Sequence, residues 1–195
     1  MAVVTVSGEP GCRTREVAQL AAQRLGFTHL SAERVDSLLG EEFGPIIENN
    51  SKAWPDMAAS LLLRLATEAH LVIGVDGAEL LFRNFPALVR VRVVAPENRR
   101  IGNVMLDDRL DRAAARVSLR KREAELRATR KARFGRATAA PDTFDLTLNA
   151  GSLDTSHMAA LIEAAVSARS LLAHGYLSHA AEAQLQFQIR LRLAR

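Results

Sequence analysis

One cysteine in 195 residues leaves no partner for an internal disulfide. This fits a reducing compartment and makes the cytoplasm the expected location. Aromatic residues make up 5% of the chain, with one tryptophan and one tyrosine, too few for the stacking platforms on which single strands lie. Nucleic acid is therefore not an expected partner. No apolar run approaches the roughly 18 residues of a membrane span, and no charged leader with a long apolar stretch opens the chain. Neither a membrane partner nor a signal peptide is expected. The five histidines show no HExxH or Cys/His ligand spacing, so no dedicated metal site is read.

What is present is an ordinary hydrophobic share, 48%, with a net charge of +4. That length and composition support one domain with a sizeable core, here residues 1–173, followed by a tail, 174–195. The charge is uneven. Residues 99–136 carry 13 of the 26 Lys and Arg against five acids, so this segment is +8 and the remainder −4. A basic segment in an acidic body points to a polyanionic ligand, and by charge alone nucleotide phosphates and nucleic acid both qualify; the alternative is a solvated arginine-rich helical face.

Hydrophobic periodicity alternates between strand and helix. Val3 to Val6 is a strand, and Ala18 to Leu25 marks a helix closed by Gly26. Phe27 to Leu30 is a second strand and Val35 to Leu39 is helical. Gly40 to Pro55 is irregular, a mobile loop or lid, and Asp56 is placed to cap a helix from Met57 to His70. Leu71 to Val75 reads as a strand buried on both faces, followed by a short helix from Ala78 to Phe82. Val89 to Val94 is the fourth strand, Arg99 to Arg133 a basic helical region, Phe144 to Asn149 the last core strand, and His157 to Leu172 the last helix. The pattern predicts an α/β fold of about five parallel strands with helices on both faces. In the tail, Leu185 to Leu193 alternates strictly; this is a strand face in a good helix-forming composition, and both readings stay open. The alternation still runs near Arg195, as in a chain that continues. Such a face needs a partner, so a homodimer or protein contact is expected there.

The chemistry concentrates at Gly8-Glu9-Pro10-Gly11-Cys12-Arg13-Thr14-Arg15, between the first strand and first helix. That is where backbone N–H groups and a helix N-terminus hold phosphate. A Walker loop reads G-x-x-x-x-G-K-[ST], its lysine neutralising phosphate charge and its hydroxyl binding magnesium. No register here supplies Gly-Lys-Ser/Thr; Arg13, Thr14 and Arg15 occupy that region. Cys12, beside Arg13 at a helix start, is placed where both neighbours favour the thiolate. Asp76 ends a buried strand, where an acid holds magnesium through water, or forms a turn with Gly77.

Residues 5–18 resemble the opening of the cytidylate-kinase-like proteins, T-I-S-R-E-Y-G-S-G-G-R-E-I-A, at Ser7, Glu9, Gly11, Arg15, Glu16 and Ala18. Gly77-Ala78, Arg83, Ala95-Pro96, Lys121-Arg122-Glu123 and Phe144 to Asn149 extend the resemblance over roughly residues 3–168. It implies a three-layer P-loop fold with a basic helical lid over 99–136. It also implies ATP-dependent phosphoryl transfer to a nucleoside monophosphate, CMP-like, with Mg2+ and ATP. On this resemblance Gly8, Gly11, Cys12, Arg13, Thr14 and Arg15 bind nucleotide, Asp76 and Asp145 bind substrate, and Arg122 and Arg127 act from the lid, while Arg130, Lys131 and Arg133 are equally well surface. The departures are Cys12-Arg13-Thr14 for Ser-Gly-Gly, Asp76 for an arginine, and Ser31-Ala32-Glu33-Arg34 for Tyr-Asp-Arg. They open the alternative of a catalytically inactive pseudo-kinase, a nucleotide-binding or regulatory module.

Overall fold

The computed structural model describes residues 2–44, 52–82, 85 and 88–168. The readings on Arg83 and the tail lie outside these, as do residues 45–51 of the expected loop and 169–172 of the last expected helix.

Five strands form one sheet: β1 (Val3–Gly8), β2 (Thr28–Ser31), β3 (Leu71–Gly74), β4 (Leu88–Val94) and β5 (Leu146–Asn149). Their order is β2-β3-β1-β4-β5 and every neighbouring pair is parallel. The β1 run Val3-Val4-Thr5-Val6 is fully buried, as expected for a central parallel strand covered on both faces. Its register pairs Val3 with Leu71 on one side and Leu88 on the other, and carries Gly8 opposite Val93 at the C-terminal edge.

The helices form two further layers. On one side α1 (Thr14–Leu25) packs against α7 (Thr155–Ala168), an arrangement tied at its edge by Arg24 and Glu163 at 2.7 Å. The other layer holds α2 (Ala32–Phe43), α3 (Trp54–Glu68) and α4 (Ala78–Leu81). Ser31 caps α2, accepting the Arg34 N–H at 3.2 Å. Because α3 is apolar around most of its surface, it buries Met57, Leu61, Leu62 and Leu63. It starts at Trp54, not after Asp56 as expected, since Pro55 fits a first turn whose N–H groups have no intrahelical partner.

The basic helical region consists of two helices, α5 (Glu97–Asp108) and α6 (Arg112–Phe134). Arg109 turns left-handed at φ 56°, and Asp111 starts α6 by accepting the Ala114 N–H at 2.9 Å. Ile101, Val104, Ala115 and Leu119 join the two helices through a small core of their own. The last strand begins at Leu146 rather than Phe144, after a single 3-10 turn over Pro141–Thr143. Among the described residues no helix is long and apolar enough to cross a membrane.

Candidate functional site

The C-terminal edge of β1 delivers the loop. A Cβ on Gly8 would stand 2.5 Å from Thr14 Oγ1 and 2.6 Å from the Val93 carbonyl oxygen, so the strand turns into the loop only with glycine there. Gly11 has φ +81°, and a Cβ on it would meet the Arg100 carbonyl at 2.8 Å. The next element starts at Arg13, which is left-handed at φ 61°, ψ 26° and gives α1 no side-chain cap. A left-handed residue at this point is a glycine position. Counting from Gly8, Arg13 therefore takes the place of the second glycine of G-x-x-x-x-G-K-[ST], Thr14 that of the lysine and Arg15 that of the hydroxyl.

One face of α5 grips this loop. Arg100, Asn103 and Asp107 stand at i, i+3 and i+7, on one helical side. Arg100 Nη1 lies 3.4 Å from Glu9, Asn103 Nδ2 donates to the Gly11 carbonyl at 2.7 Å, and Asp107 meets Arg13 at 2.8 Å. Arg13 also binds Glu16 at 2.8 Å, and Arg15 faces Glu33 at 3.4 Å. Both loop arginines are thus directed to carboxylates of this chain. Arg100 is itself held by Glu123 of α6.

Cys12 departs from expectation. Its side chain is buried, and burial pushes the thiol up to about 11, with Arg100 pulling only partly the other way. From the usual 9.0, that rise lowers the thiolate fraction at pH 8 by about 100-fold. A disulfide reagent at pH 8 is therefore expected to label native Cys12 at least about 100-fold more slowly than the unfolded chain; equal rates would show an open loop.

The lid side chains separate. Arg122 turns to Asp108 at 2.6 Å. Arg127 lines a cavity of about 90 Å³ together with Gly8, Glu9, Asp76, Arg92 and Arg130. Arg130, expected equally well at the surface, is 5% exposed. Its Nη1 reaches both Asp76 oxygens at 2.9 Å, and its Nη2 binds Glu79, whose side chain is fully buried. Burial raises the Asp76 carboxyl above its usual range, against the pull of Arg130. Nearby, Arg133 lies 3.8 Å over the Trp54 ring. Arg130 and Arg133 therefore tie the end of α6 down. Asp145 accepts the Arg90 N–H at 2.7 Å and holds β5 to β4; its neighbour Phe144 lines the cavity instead.

These residues fit magnesium poorly. An arginine takes the hydroxyl position, and Asp76 already has both oxygens on Arg130. Among the described residues, no three His, Cys, Asp or Glu are grouped to hold a metal. Two larger spaces flank the loop. One of about 240 Å³ lies toward β2 and β3, and one of about 440 Å³ lies between Arg13, Arg99, Leu106, Leu153 and Met158. Sequence reasoning missed Glu79, Arg92, Arg100 and Asn103. A lone acid in the apolar run Ala78 to Phe82 marks a buried pair, and the 100, 103, 107 spacing marks a polar helix face.

A parallel sheet whose central strand feeds a glycine-bearing loop and helix, roofed by a basic helical hairpin, defines a P-loop kinase-type fold. The chain belongs to the cytidylate kinase-like family, whose model matches residues 48–152, downstream of the loop. It is similar in structure to an uncharacterized protein from Eubacterium ventriosum, with a TM-score of 0.73, 15% identity, and 86% of this chain and 99% of that chain covered. A sugar kinase from Janibacter sp. has a TM-score of 0.54 at 15% identity, covering 89% of this chain and 99% of that one. A shikimate kinase from Acinetobacter baumannii, solved with shikimate, has a TM-score of 0.50 at 13% identity, covering 88% and 96%. At such identities the likeness is one of fold. No curated protein matches the sequence.

Proposed function

We propose that the protein binds a nucleoside phosphate at the Gly8–Arg15 loop and does not transfer its phosphoryl group, a pseudo-kinase serving as a nucleotide-binding regulatory module. The left-handed Arg13 carries this: it sets the register in which neutral Thr14 stands for lysine. A hydroxyl leaves uncompensated the charge that develops on a transferring phosphoryl group. Binding is supported by the uncapped start of α1, whose first N–H groups have no intrahelical partner and suit an anion. Arg127 stands on the wall beside Gly8 with 54% of its side chain exposed, and the 440 Å³ space offers Arg99 and the apolar Leu106, Leu153 and Met158 to a base.

Calorimetry with ATP and with CMP, with and without Mg2+, followed by an ADP assay, tests this. The expected result is saturable binding with no ADP formed above the protein-free control. Sustained ADP formation overturns the inactive reading, and absence of binding overturns nucleotide recognition altogether.

One observation favours the second reading, ATP-dependent transfer to a CMP-like monophosphate. Arg127 is 54% exposed and comes no nearer than 4.0 Å to Glu123, so its guanidinium is available at the cavity. On that reading Arg127→Ala reduces turnover more than binding, and Arg122→Ala, already committed to Asp108, does less. The division into a 1–173 domain and a partner-binding tail is likewise a proposal. Light scattering on the full chain and on residues 1–173 tests it; an unchanged oligomeric state would remove the tail's role.

A further inference from the structure

We infer that the outward line of α6 formed by Arg116, Arg120 and Lys131 is a docking surface for double-stranded nucleic acid, held through its phosphodiester backbone. This goes beyond nucleotide binding at the loop and does not depend on it. None of the three residues lines the spaces around the Gly8–Arg15 loop.

The surplus charge of the basic region is unevenly placed. Arg100 is held by Glu123, Arg122 by Asp108, Arg130 by Asp76 and Glu79, and Lys121 stands 4.0 Å from Glu125. Arg112 donates to Asn98 at 2.9 Å, and Arg133 lies over Trp54. Arg116, Arg120 and Lys131 are exposed and, among the described residues, make no ion pair or side-chain hydrogen bond. At about 100° per residue the three fall within roughly 60° of one another around the axis, along about 22 Å of helix. Arg127 shares that arc but lines the cavity beside the loop, so it is not counted here. No acid falls within the arc, Glu123 being turned to Arg100 and Glu125 to Lys121. Arg116 and Arg120 also stand at i, i+4, where like charges weaken a helix. A local conflict of this kind marks functional positions, and an anion bridging the two cations removes it.

Charge complementarity calls for an anion, and the rest of the line selects which. Along the same side stand Ala113 and Ala124, with Val117, 69% exposed, at the edge. A helix seated on a bilayer presents Trp, Phe or Leu on its apolar face, and a protein interface centres on large anchors in packed pockets. This line has neither. Its small side chains leave the cations as the main contact chemistry and allow a phosphate backbone to come close. Two of the three cations are arginines, whose planar forks match phosphate oxygens. A duplex carries one charge per roughly 1.7 Å of its axis, dense enough to serve every cation on the line. The scarcity of aromatics argues against single strands only, because the bases of a duplex stack on each other and need no protein platform. Leu119 in the hairpin core and Arg130 on Glu79 hold α6 before any contact, so little ordering opposes docking.

The test is fluorescence anisotropy of the full chain with labelled duplexes, one of DNA and one of RNA. Expected is saturable binding to at least one duplex, with log K falling against log salt at a slope of about −2.7, roughly 0.9 for each of the phosphates neutralised. The tighter duplex names the source. Arg116→Gln with Arg120→Gln and Lys131→Gln should weaken binding at least about 10-fold near 50 mM salt and bring the slope close to zero. Removing equal charge at other exposed positions, Arg34→Gln with Lys52→Gln and Lys121→Gln, should change affinity by less than about 3-fold, because phosphates meet the line rather than the net charge. Absence of binding to both duplexes at low salt overturns the inference. So does tighter binding to poly-L-glutamate or to phosphatidylserine vesicles than to duplex, or equal weakening in the two triple variants. The comparison of probes uses the wild-type chain, so it stands even if a variant does not fold.

Discussion

Replacing Arg130 with alanine should lower stability by about 3–5 kcal/mol, the usual result of removing one partner from a buried ion pair. Arg130 is 5% exposed, the Glu79 side chain 0%, and one Glu79 oxygen already has no partner. Without Arg130 that carboxylate stays buried and uncompensated beside Asp76. Urea unfolding measures the loss. Arg130→Met with Glu79→Gln should recover much of it, because the unpaired charge is then gone. The deficit should also depend on pH. Asp76 sits above its ordinary range through burial, and Arg130 is the main group holding it down. Removing Arg130 raises it further. A carboxyl with a higher pKa folded than unfolded binds more protons when folded, so stability falls as pH rises through that interval. The variant should therefore be closer to wild type at pH 5 than at pH 7. A deficit below about 1 kcal/mol, the size of a surface pair, would mean that Arg130 is solvated.

Gly77→Ala should be nearly as damaging. Gly77 has φ +87°, and a Cβ there would stand 2.2 Å from the Phe134 ring. Left-handed backbone costs an L-residue about 1–2 kcal/mol, and overpacking adds about 1–3 kcal/mol. The ring cannot simply withdraw, because its edge contact with Trp54, centroids 6.0 Å apart, belongs to the same packing as Arg133 over that indole. Gly135→Ala is the control. It has φ +70° with nothing within 4 Å, so only the backbone cost remains. A urea series in which the two variants lose equally would show that Phe134 moves away freely.

The strands were legible because apolar runs such as Val3 to Val6 and Leu71 to Ile73 are bounded by turn residues, and burial on both faces leaves them no other reading. The five-stranded parallel sheet followed from their alternation with helices. The break between α5 and α6 was harder, since Arg109, Leu110 and Asp111 carry no proline or glycine; the left-handed turn rests on Arg109 and on Asp111 as cap. At the site, periodicity located the loop. Which arginines are occupied depends on pairs such as Asp76 with Arg130 and Asp107 with Arg13, whose partners are distant in sequence. No local spacing encodes those. Cys12 shows the same gap from the other side. A helix start and Arg13 suggested a thiolate, whereas the loop folds the thiol inward and burial outweighs both.

The grip of α5 on residues 9–13 has a thermodynamic consequence. A loop that closes only around its ligand surrenders conformational entropy on binding, about 1–2 kcal/mol per residue of backbone fixed. Here Arg100, Asn103 and Asp107 hold the loop before any ligand arrives, so that loss falls within folding. Association at the loop is then opposed by less entropy, and the loop's order is paid out of the stability of the α5–α6 hairpin.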